Sequence, residues 1–161
     1  MPFFQQKSHR YATNSGEHPA IMRELERLYR TKCDAVMGDI RFSALLAPNL
    51  PTFANQLSLL ASTAIPTLAM LEKALQTQEF SPTAQQTRHN VPPLSKENAH
   101  SVALAYCNKR LQESDLEQQA CVHLQRFARQ KKTQELLATI QTRSGEERLF
   151  LQGLQKRFLC S

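Results

Sequence analysis

Hydrophobic residues recur every three or four positions along most of the chain, which is the spacing of amphipathic helices. No stretch alternates apolar and polar residues for long enough to predict a strand. A first helix is predicted from Pro19, which suits the first helical position, to about Met37, where Gly38 can end it. An extension of this helical region over Phe42 to Leu46 is the alternative. Its apolar stripe consists of Ile21, Leu25, Leu28 and Val36. The pattern therefore predicts an all-α fold.

A second helix is predicted over about Thr52 to Phe80, after a turn that Pro48 and Pro51 bracket. Its apolar row carries almost no charge, so we expect it to be the most buried part of the molecule. The row consists of Phe53, Leu57, Leu60, Ala64, Leu68, Leu71 and Leu75. Pro66 lies within this segment and is expected to kink or divide the helix, because proline cannot donate the backbone hydrogen bond.

The segment 81–95 is polar and rich in proline, and such a composition cannot bury much surface. We therefore expect a loop or hinge there. After it, Ser95 is expected to cap a helix that runs to about Leu111. Ser114 and Asp115 either cap a further helix or lie within one long helix, because neither glycine nor proline separates them from the preceding residues.

The helical pattern continues to about Thr142, and Ser144 with Glu147 then has the spacing of a capping box, which predicts the start of a last helix. Four to six helices are therefore expected to form an all-α bundle, with either one core or two helical parts joined by the proline-rich hinge. The expected organisation is a flexible N-terminal arm over 1–18, an N-terminal helical part over 19–80, a linker over 81–95 and a basic C-terminal helical part over 96–161.

The chain has 161 residues, a length typical of one domain, and a formal net charge of +6. After residue 100 there are ten Lys and Arg against six Asp and Glu, so the excess lies mostly in the C-terminal part. Such a charge favours a polyanionic partner. The candidate residues for binding nucleic acid or an acidic partner are Lys109, Arg110, Arg126, Arg129, Lys131 and Lys132. We expect Arg126, Arg129 and Lys132 to share one face of a single helix; an ordinary solvated helix face is the alternative.

No residue pattern indicates catalysis or metal binding. Cys121 and His123 are two residues apart, and side chains at that spacing point about 200° away from each other on a helix. Glu97 and His100 match the Glu-x-x-His spacing of carboxylate-bridged di-iron bundles, but a second such pair is missing. The four glycines stand apart, which excludes a glycine-rich phosphate loop. We therefore expect no enzyme, no catalytic residue, no metal, no cofactor and no small-molecule substrate.

The four cysteines are scattered and include no CxxC pair, and the N-terminus lacks the pattern of a signal peptide. Such scattered cysteines are typical of reduced thiols in a cytoplasmic protein. The longest apolar segment, 57–71, is interrupted by polar residues and is shorter than the run of about 20 that spans a bilayer. We therefore expect no membrane association.

Two segments resemble the primosomal replication protein N″ (PriC) family, in the same order and at a similar separation. The first runs from Pro66 to Leu75 (PTLAMLEKAL) with Gln78 after it, and the second runs from Lys109 to Glu117 (KRLQESDLE). The resemblance implies a non-enzymatic, all-helical factor of replication restart that recognises single-stranded DNA at a stalled fork. It also implies contacts with the acidic tail of single-stranded-DNA-binding protein and with the replicative helicase.

Under this interpretation the six C-terminal cations meet phosphates or tail carboxylates. Tyr106 and Phe127 then offer stacking or apolar anchorage, unless both pack in the core. The alternative function is a helical protein-interaction module without nucleic acid, such as a secretion chaperone or a phage or plasmid accessory protein. Its basis is the broad apolar surface over 57–75, part of which could dock a partner helix.

Overall fold

The computed structural model describes residues 16–76 and 93–159, and it confirms the all-α fold. Four α-helices follow one another along the chain, and a short π-helix follows the last of them. The described residues include no strand. The helices are α1 (Pro19–Leu46), α2 (Pro51–Gln76), α3 (Ala99–Gln125) and α4 (Lys131–Leu154), followed by the π-helix Gln155–Leu159. Residues 1–15 of the arm predicted over 1–18, and most of the predicted linker, lie outside the described residues.

The four helices form a bundle of two helical hairpins. Helix α1 packs along α2, and α3 packs along α4; the hairpins then meet where α1 contacts α3 and α2 contacts α4. Lys32 of α1 bonds to Glu117 of α3, whereas Asp39 bonds to Arg110, so α1 and α3 run antiparallel. Both halves of the chain contribute to the same two main apolar clusters, one at each end of the bundle.

Helix α1 begins as predicted but runs nine residues beyond its predicted end at Met37. His18 caps its start, since the Nδ1 atom accepts a hydrogen bond from the backbone N–H of Ala20 at 3.0 Å. Gly38 does not end the helix. Its lack of a side chain instead allows α1 to lie close to α3. A Cβ atom at this position would lie 2.9 Å from the Tyr106 hydroxyl oxygen. The predicted end at Gly38 is therefore wrong, and the alternative extension over Phe42 to Leu46 is part of the helix.

Helix α2 continues through Pro66 without dividing. Pro66 and Ser62, whose carbonyl loses its helical partner, are both exposed, so water can satisfy that carbonyl. Most of the predicted apolar row of α2 is buried, and only Leu68 is half-buried. The predicted extension to Phe80 lies outside the described residues, since the described helix ends at Gln76.

Helix α3 begins later than predicted, because Ser95 and Asn98 form a turn before it. The Ser95 N–H donates to Asn98 Oδ1 at 2.7 Å, and the Asn98 N–H donates to Ser95 Oγ at 3.3 Å. Ser114 and Asp115 lie within one long helix, which decides between the two alternatives. None of the described helices is long and apolar enough to cross a membrane.

The predicted start of a last helix at Ser144 is wrong, because Ser144 and Glu147 lie inside α4 and are buried. The helical structure is interrupted earlier, at the turn between Gln125 and Lys131. Neither glycine nor proline marks this turn, so the sequence pattern did not indicate it.

Candidate functional site

The turn between α3 and α4 carries four of the six cations that the sequence nominates for binding. Arg126 is the C-cap of α3, Arg129 lies in the turn, and Lys131 and Lys132 open α4. All four are exposed. We call residues 126–132 the basic turn. The predicted single helix face is wrong, because a break in the helix rather than helical periodicity brings these cations together.

Most of these cations are not neutralised by neighbours. Lys131 lies 3.9 Å from Glu135, but its side chain is 88% exposed, and such surface pairs contribute little. Within the described ranges, Arg126, Arg129 and Lys132 have no carboxylate oxygen within 4.0 Å of their side-chain nitrogens. The basic turn therefore presents charge that a polyanion can meet.

An exposed aromatic residue lies among these cations. Phe127 is 60% exposed, and its ring centroid lies 5.0 Å from that of His123. Together with His18 and Arg129 these rings line a groove of about 480 Å³ at the start of α1. An exposed ring beside cations is the arrangement that stacks an unpaired nucleobase. The core-packing alternative for Phe127 is therefore wrong.

Tyr106 has the opposite environment and cannot stack on a ligand. It is buried, its ring stacks on Phe42 with centroids 4.0 Å apart, and its hydroxyl donates to Asp39. Burial raises the pKa of Tyr106 well above its usual value, and the neighbouring Asp39 carboxylate adds to this shift.

Glu17 holds the basic turn in place. One carboxylate oxygen, Oε1, accepts from the Arg129 N–H at 2.8 Å, and Oε2 accepts from the Gln130 N–H at 2.9 Å. Burial alone would raise the pKa of Glu17, but the backbone N–H groups of the turn hold it below its ordinary value. Glu17, two positions before the start of α1, thus holds the turn that leads into α4, a contact that helical spacing does not reveal.

Lys109 and Arg110 do not belong to this surface. Lys109 precedes Arg126 by 17 positions on α3, which places it about 25 Å away along the helix axis, and its Nζ lies 3.7 Å from Glu113. Arg110 is 2% exposed, with Nε bonded to Asp39 at 2.8 Å and Nη2 bonded to Glu147 at 2.6 Å. The expectation that Arg110 presents its charge at the surface is wrong, because carboxylates inside the bundle neutralise it.

Arg110 belongs to a buried layer of charge that the sequence pattern did not indicate. Lys32 Nζ bonds to Glu117 at 2.9 Å and to Glu147 at 3.0 Å. Ser114 donates to Glu147 at 2.7 Å. The layer lies between the two main apolar clusters. Its charged members are Lys32, Asp39, Arg110, Glu117 and Glu147.

The pKa shifts in this layer follow from burial and from close partners. Burial raises the pKa of Glu147, but Arg110 and Lys32 oppose it and hold the value at about 2. Burial lowers the pKa of Lys32, and the adjacent glutamates more than reverse this effect. Burial raises the pKa of Asp39 despite the neighbouring Arg110. The one available sequence signal is that Lys32 and Asp39 continue the apolar stripe of α1 at helical spacing.

Among the described residues, the remaining candidates for catalysis or metal binding lie apart from one another. Cys121 is fully buried, and burial raises the pKa of its thiol to about 12, whereas His123 is exposed. His100 Nε2 lies 3.1 Å from the Leu159 carbonyl oxygen. Within 16–76 and 93–159, no group of three or more His, Cys, Asp or Glu is arranged to hold a metal ion.

The apolar segment 57–75, the basis of the alternative function, packs mostly into the core. Leu57, Leu60, Leu71 and Leu75 are buried, and Leu59 and Ile65 are the large apolar side chains of α2 that remain about half exposed.

Comparison of the chain with protein-family models, curated proteins and solved structures finds no match. The geometry of the basic turn and the sequence resemblance are therefore the basis for a functional proposal.

Proposed function

We propose that the chain is a non-enzymatic, cytoplasmic adaptor of DNA replication restart that binds single-stranded DNA at the basic turn. The observation that carries this proposal is that the seven residues of the basic turn hold four exposed cations and the exposed ring of Phe127, which shares its groove with Arg129. Cations that neutralise phosphates release counterions, which drives binding. An exposed ring adds stacking to any unpaired base, so the arrangement favours single strands over duplex.

The replication context of the proposal comes from the resemblance to the PriC family. That resemblance extends the proposal to two protein partners, the acidic tail of single-stranded-DNA-binding protein and the replicative helicase. The tail carboxylates can meet the same cations as DNA phosphates do. We therefore expect the tail and single-stranded DNA to compete for the basic turn.

Substitution of Phe127→Ala is expected to weaken binding of a fluorescent 20-nucleotide single strand by about 1–3 kcal/mol, or roughly 5- to 150-fold, because one stacked base is lost. Fluorescence anisotropy at low salt measures this affinity. The matched control is Leu149→Ala, which removes another exposed apolar side chain, on α4. It is expected to leave the affinity unchanged.

Equal affinity of wild type and Phe127→Ala for the single strand would contradict the proposal. Equal affinity of the wild type for duplex and single strand would also contradict it. If an acidic peptide bound but neither nucleic acid did, the protein-interaction alternative would replace the DNA-binding adaptor.

A further inference from the structure

The groove beside Phe127 contains a carboxylate as well as a cation. The start of α1 and the end of α3 form its walls, so we call it the α1–α3 groove; Glu24 of α1 lines it together with Phe127 and Arg129. Glu24 is half-buried, and its carboxylate makes no hydrogen bond or ion pair with any residue in the described ranges. A carboxylate in this position repels phosphate, so attraction of the DNA backbone does not account for it.

Glu24 and Arg129 line the same groove without neutralising each other. In the part of the chain that the structure describes, no carboxylate oxygen lies within 4.0 Å of the Arg129 guanidinium nitrogens. The groove therefore offers a free hydrogen-bond acceptor and a free donor. Its floor is apolar, since the buried side chains of Ile21 and Leu124 also line it. These are the surroundings of a flat ligand that has an apolar face and a polar edge.

Among the nucleobases, guanine has the edge that matches this pair of groups. Its N1–H and N2–H groups are adjacent donors that one carboxylate can accept together, and its O6 atom is an acceptor that arginine commonly binds. Adenine and cytosine each present one amino group beside a ring nitrogen whose lone pair repels a carboxylate. Thymine presents a single N3–H between two carbonyl oxygens, which repel it as well.

We propose that the α1–α3 groove selects an unpaired guanine, which stacks on Phe127 while Glu24 and Arg129 bind its edge. The groove has a volume of about 480 Å³, within the range of roughly 300–1,000 Å³ that is common for small-molecule sites, so one base fits. Glu24 thereby determines specificity, whereas the cations of the basic turn supply affinity for any strand. This inference rests on the proposed function, because the guanine belongs to the single strand that the basic turn binds.

Single-base changes in a thymine-only strand test this selectivity with the wild-type protein. Guanine at the centre of the fluorescent 20-nucleotide strand should tighten binding at least about fivefold, because a two-bond contact to a base discriminates by that factor or more. Hypoxanthine keeps O6 and N1–H but lacks the N2 amino group, so it should lose most of this gain. Adenine stacks as a purine but lacks the two adjacent donors, and it should gain less than about twofold. Fluorescence anisotropy at low salt measures these affinities.

Glu24→Gln should reduce the preference for guanine over thymine to less than about twofold, because one of the two adjacent acceptors is lost. Its affinity for the thymine-only strand should not fall, since Phe127 and the basic turn are unchanged. The matched control is Glu135→Gln, which removes the same charge from an exposed side chain of α4 that lies close to the basic turn but outside the groove. This control should keep the full preference for guanine.

Equal affinity of the wild type for the guanine-containing and thymine-only strands would overturn the selectivity of the groove, while binding of both strands would still support the proposed function. A preference for guanine that persists in Glu24→Gln would overturn the role of Glu24. If this variant does not fold, the comparison of guanine with hypoxanthine decides, because it uses the wild type alone; equal affinities for the two would overturn the two-bond contact. Absence of binding to every strand would overturn the proposed function and this inference with it.

Discussion

Arg110 and Arg126 lie on or next to the same helix, α3, but their guanidinium groups have opposite surroundings. Arg110 is enclosed by Asp39 and Glu147, whereas Arg126 is exposed at the basic turn. Charge alone could not distinguish the two residues in the sequence. The distinction depends on which helical positions face the other hairpin, and the very weak amphipathic pattern of α3 does not indicate them.

Arg110→Met is expected to destabilise the fold by about 3–5 kcal/mol, because it leaves the buried Asp39 carboxylate without a cation and Glu147 with Lys32 as its remaining cation. Urea unfolding measures this loss. Arg126→Met is the control, and its free energy of unfolding should differ from that of wild type by less than about 0.5 kcal/mol, since the residue is exposed. Similar stabilities of the two variants would show that the buried layer does not contribute as described.

At the scale of elements, helix boundaries divide into those that the sequence indicates and those that depend on distant residues. The start of α1 at Pro19 and the restart at Pro51 are local, because proline favours the first helical turn. The break before α4 is not local, since Glu17, more than 100 residues away, accepts hydrogen bonds from the backbone N–H groups of Arg129 and Gln130, directly before the helix. Likewise, α1 passes through Gly38 because α3 packs against it there.

The link between Glu17 and α4 is expected to depend on pH. The carboxyl has a pKa of 4.5 in an unfolded chain and a lower one in the fold, so its contribution to stability is complete above pH 4.5. It is lost as the pH falls from 4.5 through the folded value. Glu17→Gln should therefore be less stable than wild type at pH 7, and the difference should shrink below pH 4.5. Urea unfolding at several pH values measures it; a difference independent of pH would contradict the role of the ionised carboxylate.

At the scale of the whole molecule, two hairpins enclose a charged layer between apolar ends. Sliding one hairpin along the other by a helical turn would place Lys32 and Glu147 among apolar side chains, which costs free energy, so the layer favours one register. Apolar spacing predicted the helical class and most of the core of α1 and α2. It could not predict the layer, because buried charges are stabilised by partners on other helices rather than by their neighbours in sequence.

The same arrangement places the four cations of the basic turn together at one end of the bundle. Lys96 and Lys156 are exposed at the opposite end, near the π-helix, which lies about 36 Å from the start of α4 along the helix axis. They provide a pair of matched charges for testing whether position, rather than total charge, determines binding.

The salt dependence of single-strand affinity tests the central claim most directly. Each phosphate contact contributes about −0.7 to the slope of log K against log salt for single strands. Arg126→Ala combined with Lys132→Ala should reduce the magnitude of the wild-type slope by about 1.4, whereas Lys96→Ala combined with Lys156→Ala should leave it unchanged. Equal slopes for the wild type and the basic-turn variant, or an equal reduction in the two double variants, would contradict binding at the basic turn.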